Sequence, residues 1–320
     1  MPRTDPHTAA SSDTDWQRTF VACWMQLGPE TRDAIVGLLP DDWSFAGKRV
    51  LDFGSGPGRT LKEFVPEAQA AEFWGIDIDA ASVDELRATL CPPMHAAQCG
   101  YSPPLEFESG HFDLVWAISV FTHLTDNSIP WLLELHRVLK PGGFLIANYM
   151  GRWISELVAG EPWDDTRIGM NVFRHTHPWS EGGPLVLISD WWLREHWGRA
   201  FEVVDIAPNI HNSSWALLRK RDVSLTADDV ARPGDDAREY QAVRHNLARA
   251  QREIENAEAR LAAAQREAAE QLAAVRRSYE QSQSWRLTRP LREIARRVHA
   301  RRTAARDSSD DMTYGSRPST

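Results

Sequence analysis

The sequence predicts a doubly wound α/β fold with a largely parallel sheet, followed by a long C-terminal helix. Three observations predict it. Apolar runs of strand length alternate with amphipathic stretches of helix length through the first 220 or so of the 320 residues. A glycine-rich turn, Gly54-Ser55-Gly56-Pro57-Gly58, follows directly on the first of those runs. Composition then shifts abruptly after Asp222 to Ala, Arg and Glu. Such alternation marks a parallel sheet because right-handed crossovers place helices on both of its faces.

The elements follow in order. Met1–Thr14 is rich in Ser, Thr, Pro and Asp and reads as disordered. The folded domain is expected over residues 15–222. It opens with a helical pattern on Trp16, Phe20, Trp24 and Leu27, then a helix from Pro29 to Leu39. Strands are expected at Arg49–Phe53, Phe73–Ile78, His95–Gln98, Phe112–Ala117 and Phe144–Met150, with helices at Arg59–Val65, Ala81–Leu90 and Pro130–Leu139 between them. A helix at Ser189–Trp197 and strands at Phe201–Ile206 and Trp215–Arg219 complete the domain. Residues 151–188, irregular and rich in Trp, His, Gly and Pro, read as a lid-like insertion, the usual meaning of a long irregular segment in a regular domain.

Residues 223–239 read as a linker. From Tyr240 to Tyr279 a heptad of apolar and small residues, interrupted at Gln271, runs through Val243, Leu247, Ala250, Ile254, Ala257, Leu261, Ala264, Ala268 and Val275, which predicts a coiled coil over 240–282 and a homo-oligomer, with a single solvated helix as the alternative. A continuous helix there extends on the order of 60 Å. Residues 284–306 carry eight arginines against the single acid Glu293, with Trp285, Leu287, Leu291, Ile294 and Val298 near one face. That is a basic amphipathic helix suited to an anionic membrane surface or an acidic partner. Residues 307–320 read as a disordered tail.

Bulk composition narrows the class. Hydrophobic residues at 42% and charged residues at 25% are those of an ordinary globular chain. The formal net charge of −9 argues against nucleic acid as the main partner. Cys23, Cys91 and Cys99 are odd in number and unpaired in spacing, as in a reducing compartment. With neither a leader pattern nor a run of roughly 20 apolar residues, a cytoplasmic location is expected, peripheral at the inner membrane if the basic tail binds there. The 14 tryptophans, many between Trp131 and Trp215, suit a bulky core for the most part, or stacking faces for a ring-shaped substrate.

The glycine turn carries the chemistry. Its spacing is GxGxG, whereas the dinucleotide fingerprint is GxGxxG. Asp52 sits in the strand end, where a pyrophosphate would be repelled. A ligand with a sulfonium and an ammonium, and no phosphate, suits that position better. Asp77, 25 residues on in Trp74-Gly75-Ile76-Asp77-Ile78, closes the next strand and suits the two hydroxyls of a ribose. Asp79 reads as the cap of the following helix.

Four segments in order, VLDFGSGPGRT, FWGIDIDAASV, HFDLVWAISVFTHLTD and LHRVLKPGGFLIANYM, resemble the class I S-adenosylmethionine-dependent methyltransferase family across about Lys48–Met150. The resemblance implies a Rossmann-like seven-stranded methyltransferase sheet with S-adenosyl-L-methionine as cofactor. Asp52, Gly54, Ser55, Gly56 and Gly58 would surround its amino-acid end, Asp77 its ribose and Ile78 its adenine. Ala117–Ser119 would line the transferred methyl. One departure stands out: where many members carry an acid for the adenine amino group, this chain has Cys99-Gly100-Tyr101.

An alcohol acceptor needs a general base, and His123, just past the fourth strand, is the candidate by position, with a packing role as its alternative. His175, His177 and His211 lie in or near the insertion; His175-x-His177 without an acid cluster is a weak metal signal, and no metal is expected. Finally, Ser284-Trp285-Arg286-Leu287-Thr288-Arg289-Pro290-Leu291-Arg292, directly after a coiled coil, resembles an element at the ends of bacterial cell-surface polysaccharide biosynthesis proteins. That resemblance implies a sugar or glycan precursor as acceptor. A small natural product or lipid acceptor, or a non-catalytic coiled-coil scaffold with a vestigial cofactor site, are the alternatives.

Overall fold

The computed structural model describes residues 28–160, 162–173, 175, 183–296 and 299. The expected disordered N-terminus, the helical pattern on Trp16–Leu27, His177, Trp179 and residues 300–320 lie outside them. One compact unit ends at Ala248 and a second begins at Arg249.

The strands are β1 (Arg49–Phe53), β2 (Glu72–Asp77), β3 (His95–Gln98), β4 (Phe112–Ala117), β5 (Leu139–Tyr149), β6 (Met170–Phe173), β7 (Leu185–Ile188), β8 (Phe201–Ile210) and β9 (Ser213–Lys220). Helices are α1 (Gly28–Leu38), α2 (Ala80–Leu90), α3 (Ser128–Val138), α4 (Ser155–Ala159), α5 (Asp190–Ala200), α6 (Ala227–Ala231), α7 (Ala237–Gln281) and α8 (Gln283–Leu287).

Seven strands form one sheet in the order β3-β2-β1-β4-β5-β9-β8. The first five are mutually parallel, and the β8–β9 hairpin adds antiparallel to β5. β1 and β4 are buried along nearly their whole length, as parallel strands covered on both faces must be. On one face Ile35 of α1, Leu61, Phe64 and Leu86 of α2 pack over Phe73, Trp116 and Trp215. On the other, Trp131 and Leu135 of α3 join Leu193 and Trp197 of α5 over Leu51, Val115 and Leu145. This is the Rossmann-like architecture expected.

Three stretches differ from expectation. Arg59–Val65 holds only a 3₁₀ turn, Leu61–Phe64, since the few residues between Gly58 and Pro66 close few backbone bonds of helical type. The insertion 151–188 contains ordered structure: β6 and β7 pair antiparallel over a small core of Met150, Ile154, Ile168, Phe173, Leu185 and Leu187. It is stitched to the parent sheet. The Val186 N–H donates to the Thr122 carbonyl and the Ile188 N–H to the Met150 carbonyl, both at 2.8 Å.

Residues 223–239, read as a linker, fold against the domain. Thr226 and Asp229 make a reciprocal capping box on α6, and Val230 is wholly buried. Arg199 closes the other end of α6, its guanidinium donating to the carbonyls of Asp229 and Val230 at 2.9 and 3.1 Å. His196 of α5 sits between two acceptors, the Val230 carbonyl at 2.8 Å and Glu239 Oε2 at 3.0 Å, with Trp192 stacked on its ring. The carbonyl only accepts, so Nδ1 donates to Val230, and Nε2 faces the Glu239 carboxylate at the root of α7.

Helix α7 runs unbroken for 45 residues. In the second unit, Arg276 pairs with Glu280 along its surface, and beyond it the Arg292 guanidinium lies over the Trp285 ring at 3.4 Å. Leu287, Leu291 and Ile294 are exposed. Among the described residues no helix is long and apolar enough to cross a membrane.

Candidate active site

The carboxyl ends of β1, β2, β4 and β5 lie side by side, as parallel pairing of Asp52 with both Gly75 and Trp116 and of Ala117 with Ala147 requires. Ligands of open α/β sheets bind at this edge. The β1 turn is anchored there by the Gly54 and Ser55 N–H groups, which both donate to the Ile76 carbonyl, at 2.8 and 3.0 Å.

Two glycines of the turn have distinct reasons to be glycine. Gly54 takes φ +81° and passes so close to Val120 that a Cβ would overlap its Cγ2. Gly56 takes φ +52°, and a Cβ there would meet open space, so the bare backbone faces outward. Asp77 fixes this conformation. Its Oδ2 accepts the Gly56 N–H at 2.8 Å and its Oδ1 the Asp79 N–H at 2.9 Å. Asp79 in turn caps α2 by accepting from the Ser82 N–H at 2.9 Å, the role expected of it.

Asp52 is the anomaly of the site. Its side chain is buried, and Oδ2 has no hydrogen-bond partner within the protein. Trp116 offers the nearest relief, yet its indole N–H is likewise without a well-formed bond. Burial pushes the carboxyl up from its ordinary 3.8 to about 7, Trp116 and Arg59 pulling against it and the Asp77 charge adding to it.

Past β4 the chain turns sharply. Ser119 adopts φ +59° and its N–H donates to Asn148 Oδ1 at 2.6 Å, while Asn148, wholly buried near the end of β5, leaves Nδ2 without a partner in the protein. His123 follows, its Nδ1 at 2.8 Å from the Pro184 carbonyl. A carbonyl only accepts, so Nδ1 carries the proton and Nε2 is the basic nitrogen of the neutral ring. Burial holds the ring below its ordinary range. The insertion thus touches the candidate base directly, through Pro184.

Cys99 and Gly100 follow β3 at the same edge. The Cys99 N–H donates to the Asp77 carbonyl at 2.9 Å, and burial pushes the thiol up to about 11, an inert sulfhydryl. The Ile78 carbonyl accepts from the Gln98 side chain at 3.0 Å, tying the ends of β2 and β3. The Tyr101 carbonyl is held by the Trp131 indole at 3.2 Å, which steers this loop over the start of α3.

Other candidates fall elsewhere. His175 lies 3.5 Å from Asp126 on the surface, and His211, at φ +50°, forms the tip of the β8–β9 hairpin. The Trp-rich stretch corrects the stacking idea. Trp191, Trp192 and Trp197 lie in the core, because α5 turns its large rings onto the sheet. Only Trp153 and Trp163 of the described tryptophans there retain accessible faces, and Trp163 donates to Asp165 at 2.8 Å. Sequence reasoning missed Asn148 and the Pro184 carbonyl. Asn148 had a signal, a lone amide in the apolar run Phe144–Met150.

The residues fit a cofactor that brings a cation to Asp52 and vicinal hydroxyls to Asp77. An orphaned buried carboxylate oxygen calls for a positive hydrogen-bond donor, and the outward backbone of Gly56 leaves room for one. The methyltransferase-domain family matches residues 50–143. A 2-methyl-6-phytyl-1,4-hydroquinone methyltransferase from Synechocystis is 35% identical over 103 residues, 31% of this chain and 31% of that protein. The chloroplastic tocopherol O-methyltransferase of Arabidopsis thaliana is 29% identical over 153 residues, 42% of each. The chain therefore spans less than half the length of these curated relatives. Among solved structures, an S-adenosylmethionine-dependent methyltransferase from Mesorhizobium loti is similar, at 15% identity and a TM-score of 0.46, over 59% of this chain and 96% of that one.

The fold is a Rossmann-like α/β sheet with a glycine turn at the carboxyl edge of its first strand. More narrowly, residues 50–143 match the methyltransferase-domain family.

Proposed function

We propose that the protein transfers a methyl group from S-adenosylmethionine to a hydroxyl of a small acceptor, a sugar or glycan precursor of cell-surface polysaccharide. The observation that carries the methyl-transfer reading is Asp52, a buried carboxylate with an oxygen that has no partner within the protein and that a bound ammonium would satisfy. When bound, S-adenosylmethionine supplies an electrophilic methyl on its sulfonium.

The chain's own residues do the rest by binding and alignment. Asp52 receives the cofactor's ammonium, and Gly54, Ser55, Gly56 and Gly58 let its amino-acid end lie against the backbone. Asp77, already oriented by two backbone N–H groups, receives the ribose hydroxyls. Ile78 packs on the adenine, and Cys99 and Gly100 offer their backbone to its edge. Ser119, held by Asn148, lines the methyl. His123 takes the acceptor's proton on Nε2, with Nδ1 locked on Pro184.

The sugar reading rests on the terminal element around Trp285 and Pro290. A second reading, a phenolic or lipid acceptor, is favoured by the names of the two curated relatives, which methylate a hydroquinone and a tocopherol. The heptad face of α7 joins copies of the chain, the β6–β7 insertion acts as a lid, and the arginine-rich end docks on an anionic membrane face or the assembly machinery. Incubation with methyl-labelled cofactor and a panel of sugar nucleotides, lipid-linked sugars, quinols and phenols tests the acceptor. Label on a sugar oxygen is expected; label confined to quinols would replace the sugar reading by the second one.

A further inference from the structure

The oligomer proposed above has a direction written into its surface. Leu247, Ile254 and Leu261 of α7 are about 60% exposed, although each is a large aliphatic residue. Labelled as a heptad, they fall at a positions, and Ala250, Ala257 and Ala264 fall at d. Glu253 and Arg260 are then at g, and Glu258 is at e. Size and charge each choose between the two ways of pairing this face with a second copy.

In a parallel pair, layers of Leu–Leu or Ile–Ile alternate with layers of Ala–Ala. Two straight helices cannot be close enough for the alanines and far enough apart for the leucines. The same pairing sets Glu253 against the partner's Glu258, and symmetry repeats the repulsion. In an antiparallel pair centred between Ile254 and Ala257, every layer matches one large residue with one alanine. Leu247 meets the partner's Ala264, Ala250 the partner's Leu261, and Ile254 the partner's Ala257. Val243 and the partner's Ala268 extend the pattern. Facing g positions now bring Glu253 to the partner's Arg260, also twice. Shifting the antiparallel register by one heptad destroys this match, placing Glu253 against the partner's Glu253 or Arg260 against the partner's Arg260.

We propose that α7 pairs with α7 of a second copy of this chain as an antiparallel two-stranded coil, in the register that joins Glu253 to the partner's Arg260. The proposal rests on the oligomer reading and adds number, direction and register to it.

Sedimentation equilibrium of the full chain tests it through a charge-swap cycle. The wild type is expected to be a dimer. E253R and R260E each replace two attractive contacts by two repulsive ones and are expected to raise the dissociation constant about tenfold. The E253R/R260E double variant is expected to return within about threefold of wild type. E253R also removes an Arg249–Glu253 pair within the helix, at 3.5 Å, whereas R260E leaves it intact, so the cycle separates the two effects. Circular dichroism of each variant checks that helix content is retained.

In a parallel dimer E253R relieves a repulsion and tightens association; that result would overturn the direction while leaving the oligomer reading standing. Unchanged dissociation constants in both single variants would overturn the register. A wild type that is monomeric at all concentrations would overturn the oligomer reading and this proposal together.

Discussion

Asp52→Asn should make the cofactor-free protein more stable and the cofactor-bound protein worse. The physical basis is the cost of a buried charge with no partner. In the folded chain burial raises the Asp52 carboxyl from 3.8 to about 7, and a shift of about three pH units corresponds to about 4 kcal/mol. The sign follows from proton binding. Between pH 4 and 7 the folded state holds a proton that the unfolded state has released, so stability falls as pH rises through that window and is level above it. An amide has no charge to strand. At pH 8 the substitution therefore removes a cost of up to about 4 kcal/mol, and allowing for relaxation around the carboxylate, about half of it is expected as a gain. For a domain of this size that is roughly 4–8 °C in Tm.

At pH 5 the gain should be less than half as large. Scanning calorimetry without cofactor, at pH 5 and pH 8, measures both. Titration calorimetry with S-adenosylhomocysteine gives the other half of the argument: losing a charge-assisted bond to the ammonium should weaken binding by about 10- to 100-fold. An equal Tm change at the two pH values, or a less stable variant at pH 8, would refute the account of Asp52 as a strained, cation-seeking carboxylate.

Three further outcomes are expected. Gly54→Ala should cost about 1–3 kcal/mol, because alanine is strained at φ +81° and its methyl overlaps Val120; urea unfolding and cofactor titration should both report the loss. His123→Gln should lower kcat on a hydroxyl acceptor by about 10²–10⁴-fold while leaving cofactor affinity within a few-fold. Burial keeps the wild-type ring neutral below its ordinary range, so activity should persist on the acid side of pH 6.5, and a residual kcat within threefold of wild type would assign His123 to packing. Glu239→Ala should cost about 3–5 kcal/mol in denaturant unfolding by leaving the buried His196 Nε2 without its hydrogen-bond partner, while Glu239→Gln, which keeps a hydrogen-bonding group, should cost less.

The difference between what was and was not legible follows the range of the interactions. Asp52, Gly54, Gly56, Asp77 and the Asp79 cap are local or strand-end features, and their spacing in the chain carries most of their meaning. Strand positions were legible because a parallel strand covered on both faces reads as an apolar run whatever covers it. Asn148 was visible only as an oddity in such a run, since its partner, the Ser119 N–H, comes from the turn after the neighbouring strand.

By itself, then, the sequence determined the sheet-forming segments, the glycine turn, the two acids and the long heptad helix, because each depends on periodicity or on residues a few positions apart. Only the tertiary structure decided that residues 223–239 cap the domain, that α5 buries Trp191, Trp192 and Trp197, and that the insertion forms a strand pair resting on the β4 loop. It also decided which nitrogen of His123 carries the proton and that Asp52 lacks a partner. Those are facts about what meets what across the fold, and a hydrophobic pattern states that a side chain will be covered without stating by which neighbour.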